Sequence, residues 1–147
     1  MLTVGAMQRL EPLIGEWSLE VTFPGAHPIG GASTVFEWAL GGQFVIQRTS
    51  NRDTEVPDSL IVIGAGTPDG YTQHYFDSRG VVRVYEMTFA DGEWTLLRDR
   101  ADFSPLEFSQ RFVGSLSEDA RTIDGHWQKR TGPEDWLLDF ALTYRRG

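Results

Sequence analysis

Apolar and polar residues alternate along most of the chain, and a period of two marks β-strands with one buried face. The first such run is Trp17-Leu19-Val21-Phe23, interleaved with Ser18-Glu20-Thr22. Similar runs follow at 32–39, 43–50, 59–66, 71–77, 81–90, 93–100, 106–114, 121–129 and 135–145, separated by Gly-Gly, Pro-Asp-Gly, Ser-Arg-Gly and Asp-Gly turn signals. Only ahead of the first strand does the period change. There Met7, Leu10 and Leu13 or Ile14 recur at helical spacing, with Thr3 as a cap and Pro12 limiting length, which predicts one short helix over 4–13. Short sequential strands without intervening helices imply a meander, and a meander of about ten strands closes to remove its edges. The predicted fold is therefore all-β: a single antiparallel up-and-down β-barrel of about ten strands with a short N-terminal helix, one domain spanning 1–147.

Connection lengths orient that barrel. Leu40-Gly41-Gly42, Pro68-Asp69-Gly70, Asp91-Gly92 and Ser117-Glu118-Asp119-Ala120 are tight, and in a meander every second connection lies at the same end. The alternate connections, Pro24 to Gly31, Asn51 to Asp58, Ala101 to Pro105 and Arg130 to Glu134, are longer, with Ser78-Arg79-Gly80 the short exception. The longer loops mark a mouth. The helix arrives at the tight-turn end and is expected to plug it.

Turn geometry then sets which side chains face inward. A two-residue Asp91-Gly92 turn pairs Phe89 with Trp94, Met87 with Leu96 and Tyr85 with Arg98, and the apolar majority marks that face as interior. Carried across Ser78-Arg79-Gly80, the phase pairs Tyr75 with Arg83 and Gln73 with Tyr85, again inward. A comparable turn at Leu40-Gly41-Gly42 pairs Trp38 with Phe44, Phe36 with Ile46 and Thr34 with Arg48, which places Phe44, Ile46 and Arg48 inside. A slip of one residue would invert a strand. The polar residues expected among the interior aromatics are Arg48, Gln73, Tyr75, Arg83, Tyr85, Arg98 and Gln110, beside Trp127. Buried guanidinium groups without counter-charge are costly, so an anionic ligand would satisfy them. Arg48, Arg83 and Arg98 have an alternative: to reach solvent at the mouth or pair with Asp77, Asp99 and Asp102. Tyr75 and Tyr85 read first as barrel lining with satisfied hydroxyls and only second as catalytic acids.

Composition narrows the functions. The chain of 147 residues is 40% apolar, enough for a sizeable core, and its 13 basic against 21 acidic residues leave a net charge of −8. That balance disfavours nucleic acid and anionic membrane surfaces. Cysteine is absent, which excludes disulfides, thiolate catalysis and cysteine metal sites. With no signal-like start and no long apolar run, the expectation is a soluble cytoplasmic protein without membrane insertion. His27 falls in a loop while His74 and His126 face outward, so no metal site is expected. His74 near Glu86 is the one plausible base and orienter, and a cross-strand surface pair explains it as well. Gly64-Ala65-Gly66 lacks the helix a phosphate loop requires.

Gly15-Glu16-Trp17 at the opening of the first strand resembles the lipocalin signature. With Phe36-Glu37-Trp38, Gln47-Arg48-Thr49, the segment His74 to Gly80, Arg83-Val84-Tyr85-Glu86 and Leu142-Thr143-Tyr144, nearly the whole chain resembles a group of uncharacterised small bacterial calycin-like proteins. The resemblance implies a place near the lipocalins, fatty-acid-binding proteins and, distantly, nitrobindins. It transfers no activity. Nitrobindin-like proteins hold haem through a late histidine, which the strand 135–145 lacks, so no cofactor is expected. Arg83-Val84-Tyr85 is similar in chemistry, though not in position, to the Arg-x-Tyr with which fatty-acid-binding proteins hold a carboxylate.

The expected function is binding of a small hydrophobic or amphipathic molecule, with a carboxylate suiting the arginines, inside the barrel. Two alternatives stay open: an isomerase- or decarboxylase-type enzyme using the same cavity, and an interaction subunit whose barrel is filled by its own side chains. A homodimer is compatible with each.

Overall fold

A computed structural model describes residues 5–52, 57–67 and 70–147. The chain forms a 3₁₀ helix η1 (Met7–Leu13) and ten strands: β1 (Gly15–Thr22), β2 (Ile29–Ala39), β3 (Phe44–Asn51), β4 (Ser59–Thr67), β5 (Gly70–Asp77), β6 (Val82–Ala90), β7 (Glu93–Arg98), β8 (Ser109–Leu116), β9 (Thr122–Arg130) and β10 (Leu137–Arg146). Every strand pairs antiparallel with its neighbours, and β1 closes the sheet against β10 through Trp17↔Arg146 and Leu19↔Tyr144. The expected closed meander is the observed one. Among the described residues no helix is long and apolar enough to cross a membrane.

The helix is shorter and tighter than expected. It starts at Met7 without a side-chain cap, includes Pro12, and the expected cap Thr3 lies outside the described residues. It does sit at the tight-turn end. Leu10 and Leu13 are fully buried, the Trp17 indole donates to Leu13 O at 2.9 Å, and the Tyr71 hydroxyl donates to Ala6 O at 2.6 Å. Arg146 completes the seal by stacking 4.0 Å above the Trp17 ring while donating to the carbonyls of Pro12, Ile14 and Ala120.

The Asp91-Gly92 turn has both residues at positive φ, 53° and 76°, and sets Phe89↔Trp94 and Met87↔Leu96 as expected. Likewise Tyr75↔Arg83 and Gln73↔Tyr85 pair across β5 and β6. The β2–β3 connection differs. Ala39 pairs with Phe44 and Trp38 with Val45, so four residues, not three, make the turn, with Leu40, Gly41 and Gly42 all at positive φ. The slip inverts β3: Val45 and Gln47 are buried inside, whereas Phe44 is 37% exposed and Ile46 and Arg48 share its outward face.

The half of the barrel next to η1 is filled by aromatic side chains. Trp94 contacts Phe112, Tyr144 and Phe36 with ring centroids at 4.9, 5.6 and 5.9 Å, and Tyr144 meets Trp17 at 6.4 Å. Edge-on and tilted geometries suit the ring quadrupoles. The series continues toward the mouth through Phe112–Trp127 at 5.2 Å, Trp127–Tyr85 at 5.7 Å and Tyr85–Tyr75 at 6.4 Å.

Candidate ligand site at the barrel mouth

Polar side chains collect where the aromatic series reaches the mouth. The inner face of β5 carries Gln73, Tyr75 and Asp77 at every second residue, and β6 sets Arg83 and Tyr85 beside them. Tyr85 is 3% exposed and its hydroxyl donates to Gln110 Oε1 at 3.0 Å, with the Arg83 guanidinium beside the same hydroxyl. Burial pushes the Tyr85 phenol up from its ordinary pKa, while Arg83 pulls the other way. The Tyr75 hydroxyl donates to Asp77 Oδ2 at 2.8 Å, and its pKa is raised by burial and by the Asp77 carboxylate. Both phenols are thus neutral at physiological pH. Their single protons are committed to Asp77 and Gln110, and neither phenol suits proton transfer, which works best with a pKa near the operating pH.

Asp77 is the residue that sequence reasoning underrated. Burial alone would raise its pKa, but hydrogen bonds from Arg79 and Tyr75 and from the backbone N–H groups of Arg79 and Val81 outweigh that and lower it from 3.8 to about 2. Its stabilising contribution is therefore complete above about pH 4 and lost as pH falls toward 2. A carboxyl NMR titration is expected to place the Asp77 midpoint near 2. An ordinary midpoint would mean a solvated carboxyl and a free Tyr75.

The three expected arginines part company. Arg48 lies outside and pairs with Glu37 at 2.8 Å, so its assignment to the cavity is corrected; the four-residue turn is the cause. Arg98 is 4% exposed but spoken for: Nε and Nη2 donate to the two carboxylate oxygens of Asp102 at 3.0 and 2.9 Å, and Nη2 also reaches Ser104 O. Asp102 in turn accepts the Val84 N–H at 2.7 Å, occupying the edge of β6. That is why β7 stops at Arg98 instead of running to 100; β8 begins at Ser109, so Phe108, expected inside the barrel on a strand, lies outside that strand. Pairing of Arg98 with an aspartate was one of the two outcomes expected.

Arg83 remains. Its Nε is buried without an acceptor, and among the described residues no carboxylate pairs with it. The amide oxygens of Gln73 and Gln47 are also buried without donors, and both residues are almost fully enclosed. Gln47 was missed because the expected phase of β3 turned it outward. Trp127 is half-buried against Tyr85 and Phe112.

Two grooves lie along the wall. One of about 390 Å³ runs over Arg48, Ser50, Leu60 and Phe76, and one of about 320 Å³ lies between β6 and β7 beside Val84, Arg98 and Asp102. Among the described residues no three His, Asp or Glu side chains converge as metal ligands. His74 and His126 occupy outward positions opposite Val84 and Val113.

No family profile and no curated protein matches the sequence. Fourteen solved chains match the structure. They include the crystal structure of Rv2717c from M. tuberculosis, which is similar over 97% of each chain with a TM-score of 0.68 and 15% identity. A likeness at that identity shows the fold: a closed ten-stranded antiparallel barrel, consistent with the calycin-like class.

Proposed function

We propose that this barrel binds a small amphipathic anion, a carboxylate on a short apolar or aromatic body, in its mouth half. The observation that carries the reading is Arg83, a guanidinium inside the wall whose Nε lacks an acceptor while Arg48 and Arg98 each have a carboxylate. A planar guanidinium with an unused Nε–H matches a carboxylate in shape and charge. Trp127 and Tyr75 supply apolar walls for the rest of the molecule. The body must be short, because Phe112, Trp94 and Tyr144 occupy the space beneath. Long-chain fatty acids fit this interior poorly.

Calorimetry with a panel of benzoate-like, short-chain and long-chain acids tests the reading. Arg83→Met is expected to weaken binding of the short acids about 10- to 150-fold, the loss of a charged hydrogen bond worth about 1.5–3 kcal/mol. Absence of binding to every acid, or equal binding by Arg83→Met, would sink it. The aromatic filling of the lower half supports a second reading, a protein that acts through its outer wall, for which native mass spectrometry would find no retained acid.

A further inference from the structure

The outer wall is not uniform. In a barrel with a packed interior, outward positions are expected to be polar, and on β1 and β9 Glu16, Ser18, Glu20, Asp124 and His126 are, whereas β10 opens with the exposed Leu137 and Leu138. The outer face of β2–β6 is different. One cross-strand row reads Val35↔Arg48↔Leu60↔Phe76↔Val82, and the next reads Glu37↔Ile46↔Val62↔His74↔Val84. A third row adds Phe44, whose ring lies over Gly64 at a distance where a Cβ would meet it at 3.0 Å. Val35, Leu60, Phe76 and Phe44 are each 36–37% exposed, although they stand on strands rather than loops. Among the described residues nothing covers them. Contiguous exposed apolar surface of this kind marks an interface.

Charge selects the occupant. The molecule carries a net charge of −8, yet the two rows contain only one acid and one arginine, and these neutralise each other through the 2.8 Å Glu37–Arg48 pair. Two copies meeting on this face bring no uncompensated like charges together, whereas copies meeting elsewhere on so acidic a surface would repel. An electrically neutral, apolar face can meet its own copy across a two-fold axis, the commonest symmetry of soluble oligomers. The apolar part is the two rows, about 7 Å apart on five strands about 4.8 Å apart, a curved field of roughly 24 by 14 Å that forms the centre of an interface whose polar margin supplies the rest of the ~800 Å² per partner of a standard one.

We infer that the outer wall of β2–β6 is the two-fold interface of a homodimer. This goes beyond the ligand reading and uses none of its residues. Sedimentation equilibrium on the full chain is expected to give twice the 16.5 kDa monomer mass at micromolar concentration. Phe76→Glu and, separately, Val82→Lys are expected to return the mass to 16.5 kDa, with far-UV circular dichroism and thermal melting confirming that each variant folds. Ser115→Glu, on the exposed outer face of β8, and Arg83→Met, inside, are expected to leave the dimer intact. A wild-type chain that stays monomeric at tens of micromolar overturns the proposal. So does a dimer that survives both wall substitutions, or one that Ser115→Glu dissolves equally.

Discussion

Replacing Asp102 with alanine is expected to lower stability by about 3–5 kcal/mol in urea unfolding, the usual cost of removing one partner of a buried ion pair. The side chains of Arg98 and Asp102 are 4% and 11% exposed, so the substitution strands a guanidinium out of reach of bulk water. It also leaves the Val84 and Ser104 N–H groups without their acceptor. The double variant Arg98→Met with Asp102→Ala is expected to recover part of the loss, because the stranded charge is gone. A loss below about 1 kcal/mol in the single variant would show that Arg98 is solvated, as surface pairs are. The same pair shapes the acid limb. Arg98 holds the Asp102 carboxyl well below the usual carboxylate range, so its contribution is present above the ordinary pKa of 3.8 and declines as pH falls below it. The Asp102→Ala variant is expected to show a flatter acid limb than the wild type.

Phe112→Ala is expected to cost about 4–5 kcal/mol, the upper part of the range for a buried aromatic. The reason lies in its neighbours. Gly114 and Gly125 face the interior beside it, and a Cβ at either would meet the Phe112 ring, at 2.8 and 2.5 Å. The barrel has thus placed its smallest residues around this ring, and little is left there to collapse into the space. The reciprocal substitution Gly125→Ala is expected to cost about 1–3 kcal/mol by overpacking in the wild type, and far less in the Phe112→Ala background. Additive effects across that cycle would show that the ring does not set the glycine.

Much of this was legible in the alternation. Trp17-Leu19-Val21 against Ser18-Glu20-Thr22 identifies a strand and its buried face together, and repetition of such runs without helices implies closure. The Asp-Gly turn at 91–92 phased β6 and β7 correctly, because only one hairpin geometry suits that pair. From there Gln73, Tyr75, Arg83 and Tyr85 came out on the observed face, so the polar half of the candidate site follows from sequence order and period alone.

Phase fails where both faces are apolar. On β3, Phe44, Val45 and Ile46 are consecutive apolar residues, because one face lines the core while the other joins the exposed wall of β2–β6. Alternation there favours neither register, and Leu40-Gly41-Gly42 accommodates a three- or four-residue turn, so Arg48 and Gln47 exchanged places. Arg98 failed to resolve for another reason: its partner sits in an irregular loop, and no periodicity predicts which of several nearby aspartates folds back.

The sequence by itself determined the number of strands, their order, the closed end and the inner face of β5–β7, since these rest on local period and turn chemistry. The tertiary structure alone decided the register of β3, the burial of Arg98 against Asp102, the filling of the lower barrel and which of the three expected arginines has no carboxylate beside it among the described residues. Those depend on which side chains meet across a closed sheet, and contacts between residues far apart in the chain leave no local signature in it.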